Sequence, residues 1–221
     1  MYIDFLENLH KCTKRDYLER VTQHDKIECT TIAKQYGREY FDGDRRFGYG
    51  GYYYDGRWEQ VARNMIQHYK LDSNCRILDV GCAKGYLLFE FKKLLPNASI
   101  SGVDISEYAI HHAKPEIKKY VRRATAQNLP FEDESFDMVV SLNTLHNLYL
   151  FDLQEAVSEL SRVLVKNGNS YIVVESYRND AEKVNLLYWQ LTCELLFTPE
   201  EWEWIFPQFG YRGDYSFIFF E

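Results

Sequence analysis

The stretch ILDVGCAKGYLLFEF, residues 77 to 91, holds the residue types and spacing best suited to chemistry. An apolar run ends at Asp79, and Gly81, Ala83 and Gly85 follow at two-residue spacing before a second apolar run. A glycine-rich turn between a strand and a helix lets a ligand approach backbone amides at the helix N-terminus. A dinucleotide fingerprint would read G-x-G-x-x-G. Here the turn reads G-x-A-x-G, and the acid two residues before it would repel a pyrophosphate. The same carboxylate would attract a ligand bearing an ammonium and a sulfonium. Further on, SGVDIS puts Asp104 at the end of another apolar run, 19 residues after Gly85. Two acceptor oxygens there suit the vicinal hydroxyls of a ribose, and about 20 residues is the spacing that arrangement uses.

Elements that would position these acids are readable from periodicity. Trp58, Val61, Ala62, Met65, Ile66 and Tyr69 fall on one face of a helix. Strands are expected over 76–80, 99–105, 119–124, 137–142, 170–175 and 215–220, with helices over 86–95, 107–114, 152–165 and 184–195. Thr198, Pro199 and Glu201 form a capping box that starts a further helix. Alternating strands and helices imply a parallel sheet covered on both faces. Before residue 58 only short helices are expected, over 14–21 and 26–36.

Taken in order, DVGCAKG, the strand ending in Asp104, and RATAQNLPFEDESFDMVVSLNTLHNL (123–148) resemble the class I S-adenosylmethionine-dependent methyltransferases of the small-molecule type. TPEEWEWIFPQFGY is similar to that family's last helix and strand, so the resemblance runs from about residue 58 to the end. It implies a doubly wound, mostly parallel seven-stranded α/β sheet with the last strand antiparallel. The expected division is an N-terminal helical extension with a lid loop over 1–57, and an S-adenosylmethionine-binding domain over 58–221. By resemblance, Asp79, Gly81, Cys82, Ala83, Gly85 and Tyr86 would surround the methionine part, with Tyr52 reaching in from the lid. Asp104 would hold the ribose and Ile105 would lie against the adenine. Thr125, Ala126 and Gln127 would border the adenine, and Leu142 and Asn143 would present backbone to the methionine amine. Two departures stand out: Ala83 replaces the usual middle glycine, and Thr125 occupies the place where the family often has an acid for the adenine amino group.

The acceptor side is less sharply marked. His146 lies four residues past the fourth expected strand, where a general base with an ordinary pKa near 6.5 would serve an alcohol acceptor. Glu175, at the end of the fifth strand, and Tyr53 are the other catalytic candidates. GYGGYYYDGRW, residues 48 to 58, has four glycines and four tyrosines. It reads as a lid whose phenol faces attract a sulfonium, or alternatively as a packed coil along the sheet edge. The block also resembles one in methyltransferases from bacterial surface-polysaccharide gene clusters, which implies a sugar or polysaccharide precursor as acceptor.

Composition bounds the alternatives. The net charge is −7, and residues 149–221 hold 12 acidic against 5 basic residues, so the last third carries the whole imbalance. Acidity of this kind argues against a nucleic-acid partner, which needs clustered Lys and Arg. Five cysteines without a CxxC pair point away from a structural zinc site or a disulfide framework. With no signal-like or membrane-spanning run, a cytoplasmic protein is expected, and oligomeric state is not readable. The expected activity is methyl transfer to O or N of a small polar acceptor. Its rival is a non-catalytic cofactor-binding subunit of a heteromeric enzyme; a dinucleotide oxidoreductase fits Asp79 poorly.

Overall fold

Apolar runs buried on both sides build a sheet from residue 76 onward. The computed structural model describes residues 1–11 and 16–221. Its strands are β1 (Arg76–Val80), β2 (Ser99–Asp104), β3 (Val121–Arg123), β4 (Phe136–Leu142), β5 (Leu164–Glu175) and β6 (Asp214–Ile218). They lie in the order β3-β2-β1-β4-β5-β6, and every pairing is parallel. Strand order reverses between β1 and β4, which opens a crevice at the carboxyl ends of the strands.

The expected seven strands with an antiparallel last one are corrected to six parallel strands among the described residues. β6 pairs directly with β5, Tyr171 to Glu175 running opposite Asp214 to Ile218. The chain's first residues meet the outer edge of β6. The Ile3 amide donates to the Tyr215 carbonyl at 2.9 Å, and the Tyr215 amide to the Met1 carbonyl at 3.1 Å. Those bonds cover part of an edge that would otherwise be open to pairing.

The helices are α1 (Glu7–Lys11), α2 (Glu19–Thr22), α3 (Lys26–Ala33), α4 (Arg38–Asp42), α5 (Trp58–Tyr69), α6 (Tyr86–Leu94), α7 (Glu107–His111), α8 (Leu150–Val163), α9 (Asp180–Trp189) and α10 (Pro199–Gln208). Neighbouring strand residues serve opposite cores, as the two-residue period requires. Ile77, Met138, Tyr171 and Val173 pack with Val61 and Met65 of α5 and Leu88 and Phe91 of α6. Leu78, Val139, Ile172 and Val174 pack with Leu153 and Val157 of α8 and Trp202 and Phe206 of α10.

Local signals set most boundaries. The expected helix face is buried at Val61, Ala62 and Met65, and α10 begins with the Thr198–Glu201 capping box. The helix expected over 14–21 falls partly outside the described residues and is helical only over Glu19–Thr22. α9 starts four residues earlier than periodicity implied, because the Asn179 side chain accepts from the Glu182 amide at 3.0 Å. It also stops earlier, at Trp189. Beyond it the amides of Glu194 and Leu195 both donate to the His146 carbonyl at 3.0 Å, which holds that segment off the helical path.

The Gly/Tyr stretch is anchored along α4. The amides of Tyr49 and Gly51 donate to the carbonyls of Tyr40 and Phe41 at 2.9 and 3.0 Å. Gly51 has φ +110, a conformation that L side chains rarely adopt. Side chains alternate through the tyrosine run: Tyr52 packs inward, its ring stacked on Tyr86 at 5.0 Å, while Tyr53 is 71% exposed. Lys84, from the turn before α6, ties this stretch down. Its ammonium donates to both Asp42 oxygens at 2.7 Å and to the Tyr52 carbonyl at 2.8 Å. Asp42 also accepts from the Tyr108 hydroxyl at 2.7 Å and the Tyr52 amide at 3.1 Å.

Burial pushes the Asp42 carboxyl up, but the hydrogen bonds from Lys84, Tyr108 and the Tyr52 amide outweigh it and hold the pKa below the usual carboxylate value. A depressed pKa adds stability above the unfolded value of about 4 and loses it as pH falls through the folded value. Lys84 is 6% exposed. Removing one partner of a buried ion pair leaves the other uncompensated, so Lys84→Met should cost about 1–3 kcal/mol at neutral pH, less than a fully buried pair. Urea midpoints would read the loss; an unchanged midpoint would mean that the Gly/Tyr stretch is held by its rings alone.

Candidate functional site

The turn after β1 is shaped by close approach. Gly81 has φ +84, and a Cβ added there would lie 1.9 Å from the Thr144 hydroxyl on the loop after β4. Ala83 adopts φ +48 despite its side chain, and Gly85 caps α6 at φ +74. The turn's amides are consumed internally. Those of Gly81 and Cys82 donate to the Val103 carbonyl at 2.8 and 3.0 Å, and that of Gly85 to the Cys82 carbonyl at 2.8 Å. The Ala83 amide donates to Asp104 Oδ2 at 2.7 Å. These four amides are thus satisfied within the protein, and the turn's room and charge remain for a ligand.

Cys82 is a packing residue. It is 5% exposed, and burial pushes its thiol well above the usual range. Its sulfur fills the space beside Gly102 of β2, where an added Cβ would lie 2.8 Å from Cys82 Sγ and 2.6 Å from Leu88 Cδ1.

The two acids differ in their surroundings. Asp104 Oδ1 accepts from the Ser106 amide at 2.8 Å, and Oδ2 from Ala83 as above. Burial raises its pKa and these two hydrogen bonds pull it back in part. Asp79 is 4% exposed, and no hydrogen bond from the described residues reaches its carboxylate. Burial, then the charge of Asp104, push its pKa up to about 8. Asn143 is held at φ +56, and its buried Oδ1 has no hydrogen-bond partner. An ammonium supplies what both groups lack, so the residues present fit the methionine end of S-adenosylmethionine.

These residues border one cavity of about 690 Å³, within the ~300–1,000 Å³ typical of small-molecule sites. Tyr52, Asp79, Gly81, Cys82, Ala83, Asp104, Ile105, Thr125, Ala126, Gln127, Leu142 and Asn143 all line it. Gly85 and Tyr86 do not, and act one step back. The Tyr86 hydroxyl donates to the Tyr52 carbonyl at 2.9 Å, and Gly85 leaves no room for a Cβ beside Ile117. Ile105 is 50% exposed, an apolar platform over the cavity. The Leu142 carbonyl accepts from the Thr144 hydroxyl at 3.1 Å.

At the other end the cavity is bordered by Glu175, His146 and Tyr53, the last at its rim. His146 is buried. Its Nδ1 accepts from the Glu175 amide at 3.3 Å, and its Nε2 lies 3.5 Å from Glu175 Oε2. That arrangement assigns the ring proton to Nε2 and leaves no free lone pair on the imidazole. Burial lowers its pKa to about 3. The expected general base near 6.5 is corrected: burial keeps the His146 ring neutral, and its Nδ1 accepts from the Glu175 amide.

Residues that sequence reasoning missed, together with Tyr49 of the Gly/Tyr stretch, complete this end. Tyr36, Tyr40, Tyr49, Trp189, Leu191 and Thr192 all line the cavity. Burial raises the phenols of Tyr40 and Tyr52 well above 10, and those of Tyr36 and Tyr49 to about 12. All four stay neutral at physiological pH. The abundance of tyrosine before residue 58 was the only signal for this wall.

Residues 78–172 match the family described as a methyltransferase domain. An uncharacterised protein of Haemophilus influenzae is 31% identical over 150 residues, covering 62% of this chain and 59% of that one. The malonyl-[acyl-carrier protein] O-methyltransferase of Geobacter sulfurreducens is 35% identical over 97 residues, 42% of this chain and 36% of that protein. This chain thus spans under two thirds of either relative. The crystal structure of the YcgJ protein of Bacillus subtilis is similar with a TM-score of 0.56 at 25% identity, covering 67% of this chain and 66% of that one. Over residues 78–172 the chain thus resembles a methyltransferase domain, and its parallel sheet is similar to that of the solved YcgJ structure.

Two titrations follow from the geometry. Asp79 has a raised folded pKa, so its contribution to stability is full below about pH 4 and is lost as pH rises through about 8. Asp79→Asn should therefore stabilise the ligand-free protein at pH 8 by about 1 kcal/mol or more. Thermal unfolding scans at pH 5 and pH 8 would show it; equal shifts at both would put Asp79 in water. For His146, an NMR titration should find a neutral ring down to about pH 4, and a midpoint near 6.5 would reject the buried placement.

Proposed function

We propose that the protein transfers a methyl group from S-adenosylmethionine to oxygen or nitrogen of a small polar acceptor. One observation carries this reading: the buried Asp79 carboxylate, without a hydrogen bond, faces the same cavity as Asp104 at the ends of neighbouring parallel strands. When bound, S-adenosylmethionine supplies an electrophilic methyl on a sulfonium, whose departure leaves a neutral thioether. Asp79 would offset the ammonium of the methionine end, and Asp104, fixed by two backbone amides, would accept from the ribose hydroxyls. Ile105 and Ala126 would give the adenine an apolar surface. Tyr52 and Tyr49 present neutral ring faces, which attract a cation without hydrogen-bonding it away.

Holding acceptor and methyl in line can lower a barrier by ~7–11 kcal/mol, so little further catalysis is required of side chains. Of the catalytic candidates, Glu175 is the carboxylate at the acceptor end. The neutral His146 ring lies beside it, and Tyr53 stands at the rim, where it can meet the outer part of an acceptor.

Titration calorimetry should find S-adenosylmethionine binding and no comparable binding of NAD. Asp104→Ala should weaken that binding by ~1.5–3 kcal/mol, the scale of a hydrogen bond to a charged group. Affinity rising with pH up to about 8, with proton release, would accompany it, because the cation selects ionised Asp79. Unaltered affinity in the Asp104 variant would remove the ribose assignment.

A further inference from the structure

We propose that Asn147 receives the acceptor's reacting group through a hydrogen bond, so that the methyl-accepting oxygen or nitrogen carries at least one hydrogen. This rests on the methyl-transfer reading above and narrows its acceptor. A hydroxyl or a neutral primary or secondary amine qualifies; an ionised carboxylate or a tertiary amine does not.

The loop after β4 spends most of its polar atoms on the protein itself. The Asn143 amide donates to the Val173 carbonyl at 3.0 Å, and the Asn147 amide to the Thr144 carbonyl at 3.1 Å. The Thr144 hydroxyl donates to the Leu142 carbonyl, and the His146 carbonyl receives the amides of Glu194 and Leu195. Two side-chain atoms are left over. Asn143 Oδ1 and Asn147 Oδ1 are both buried with no hydrogen-bond partner among the described residues. Both asparagines border the cavity.

The other end of the Asn147 amide fixes its orientation. Its Nδ2 donates to the Asn143 carbonyl at 3.3 Å. Turning the amide over would set two acceptor oxygens against each other, so Oδ1 is the atom left for a ligand. An amide oxygen accepts and cannot donate, which makes it selective for a group bearing hydrogen. A buried acceptor without a donor carries the full cost of its desolvation, and native proteins keep few of them. One on the wall of a ligand cavity calls for a donor that arrives with the ligand.

Position separates the two oxygens. Asn143 closes β4 next to Thr144, which the turn carrying Gly81 touches, and its Oδ1 goes with the ammonium of the methionine end. Asn147 is hydrogen-bonded to Asn143 on one side and on the other follows His146, whose ring lies beside Glu175. It therefore stands between the cofactor end and the acceptor end, where the methyl must pass.

With its hydrogen on Asn147 Oδ1, the acceptor atom keeps a lone pair directed elsewhere. That pair forms the bond to the methyl carbon as the S–CH3 bond breaks, the S–C pair leaving with sulfur. The hydrogen stays on the methylated atom, still bonded to Asn147, until it passes as a proton to water. An ionised carboxylate would set its own lone pairs against Oδ1 and be turned away.

The test uses protein saturated with S-adenosylhomocysteine and two probes of equal shape, aniline, which donates, and toluene, which does not. NMR shift titration at neutral pH reads the ratio of their affinities. Asn147→Leu should lower the aniline preference about threefold or more and leave S-adenosylhomocysteine affinity within about twofold. Asn147→Ala should match it. Asn147→Asp loses the donor to Asn143 but keeps acceptor oxygens, so it should hold the preference at or above the wild-type level. A preference unchanged by leucine and alanine overturns the proposal, as does aniline that does not bind. A preference that falls equally with aspartate makes the amide a loop brace, and weakened S-adenosylhomocysteine binding gives Oδ1 to the cofactor; either result also overturns it. Failure of the wild type to bind S-adenosylhomocysteine at all would instead overturn the methyl-transfer reading, so the two failures are told apart.

Discussion

Keeping two carboxylates side by side on neighbouring strands, two register positions apart, is the constraint from which the rest of the cavity follows. Asp79 and Asp104 sit at the carboxyl ends of adjacent parallel strands, where neither can turn away without breaking the sheet register. Asp104 is tolerated because two backbone amides converge on it. That convergence requires the turn after β1 to fold back over β2, which in turn requires Gly81 to pass within contact of Thr144. Asp79 receives no such compensation and is tolerated by taking up a proton. The stored cost is released when a cation arrives, so the site is selective before any ligand contact is counted.

Around this centre the work divides along the chain. Residues 78–172, which match the methyltransferase domain, contain Asp79, Asp104 and the turn between their strands. Tyr36, Tyr40, Tyr49, Glu175 and Trp189 lie outside that span and form the opposite end of the cavity. The half that would hold the methyl donor is thus shared with relatives, while the other half is drawn from segments outside the matched span. Lys84 joins the two, because it belongs to the turn yet grips Asp42 and the Tyr52 carbonyl.

Legibility in the sequence tracked how local each feature is. Asp79, the glycine turn and the Thr198–Glu201 box depend on neighbours within a few residues, and spacing revealed them. The direction of β6 was not legible, since periodicity gives a strand's faces and not which way it runs. The state of His146 was not legible either. Its burial depends on the segment after α9 folding back so that Glu194 and Leu195 bond its carbonyl, a contact across about fifty positions. The tyrosine wall escaped for a similar reason. Tyr36 and Tyr40 become wall residues only because α4 lies along the Gly/Tyr stretch, and nothing in their own surroundings marks them.

The fit between Gly102 and its neighbours has a consequence for the protein's descent. A Cβ on Gly102 would lie 2.6 Å from Leu88 Cδ1 and 2.8 Å from Cys82 Sγ, so those side chains would have to shift. Side-chain volume at 82, 88 and 102 is therefore a shared quantity: enlarging one position presses on the others. Among relatives these three columns should drift together, with a methyl gained on β2 answered by a smaller residue in the turn or on α6. The small thiol in this turn and the bare backbone of the next strand thus share one packing space.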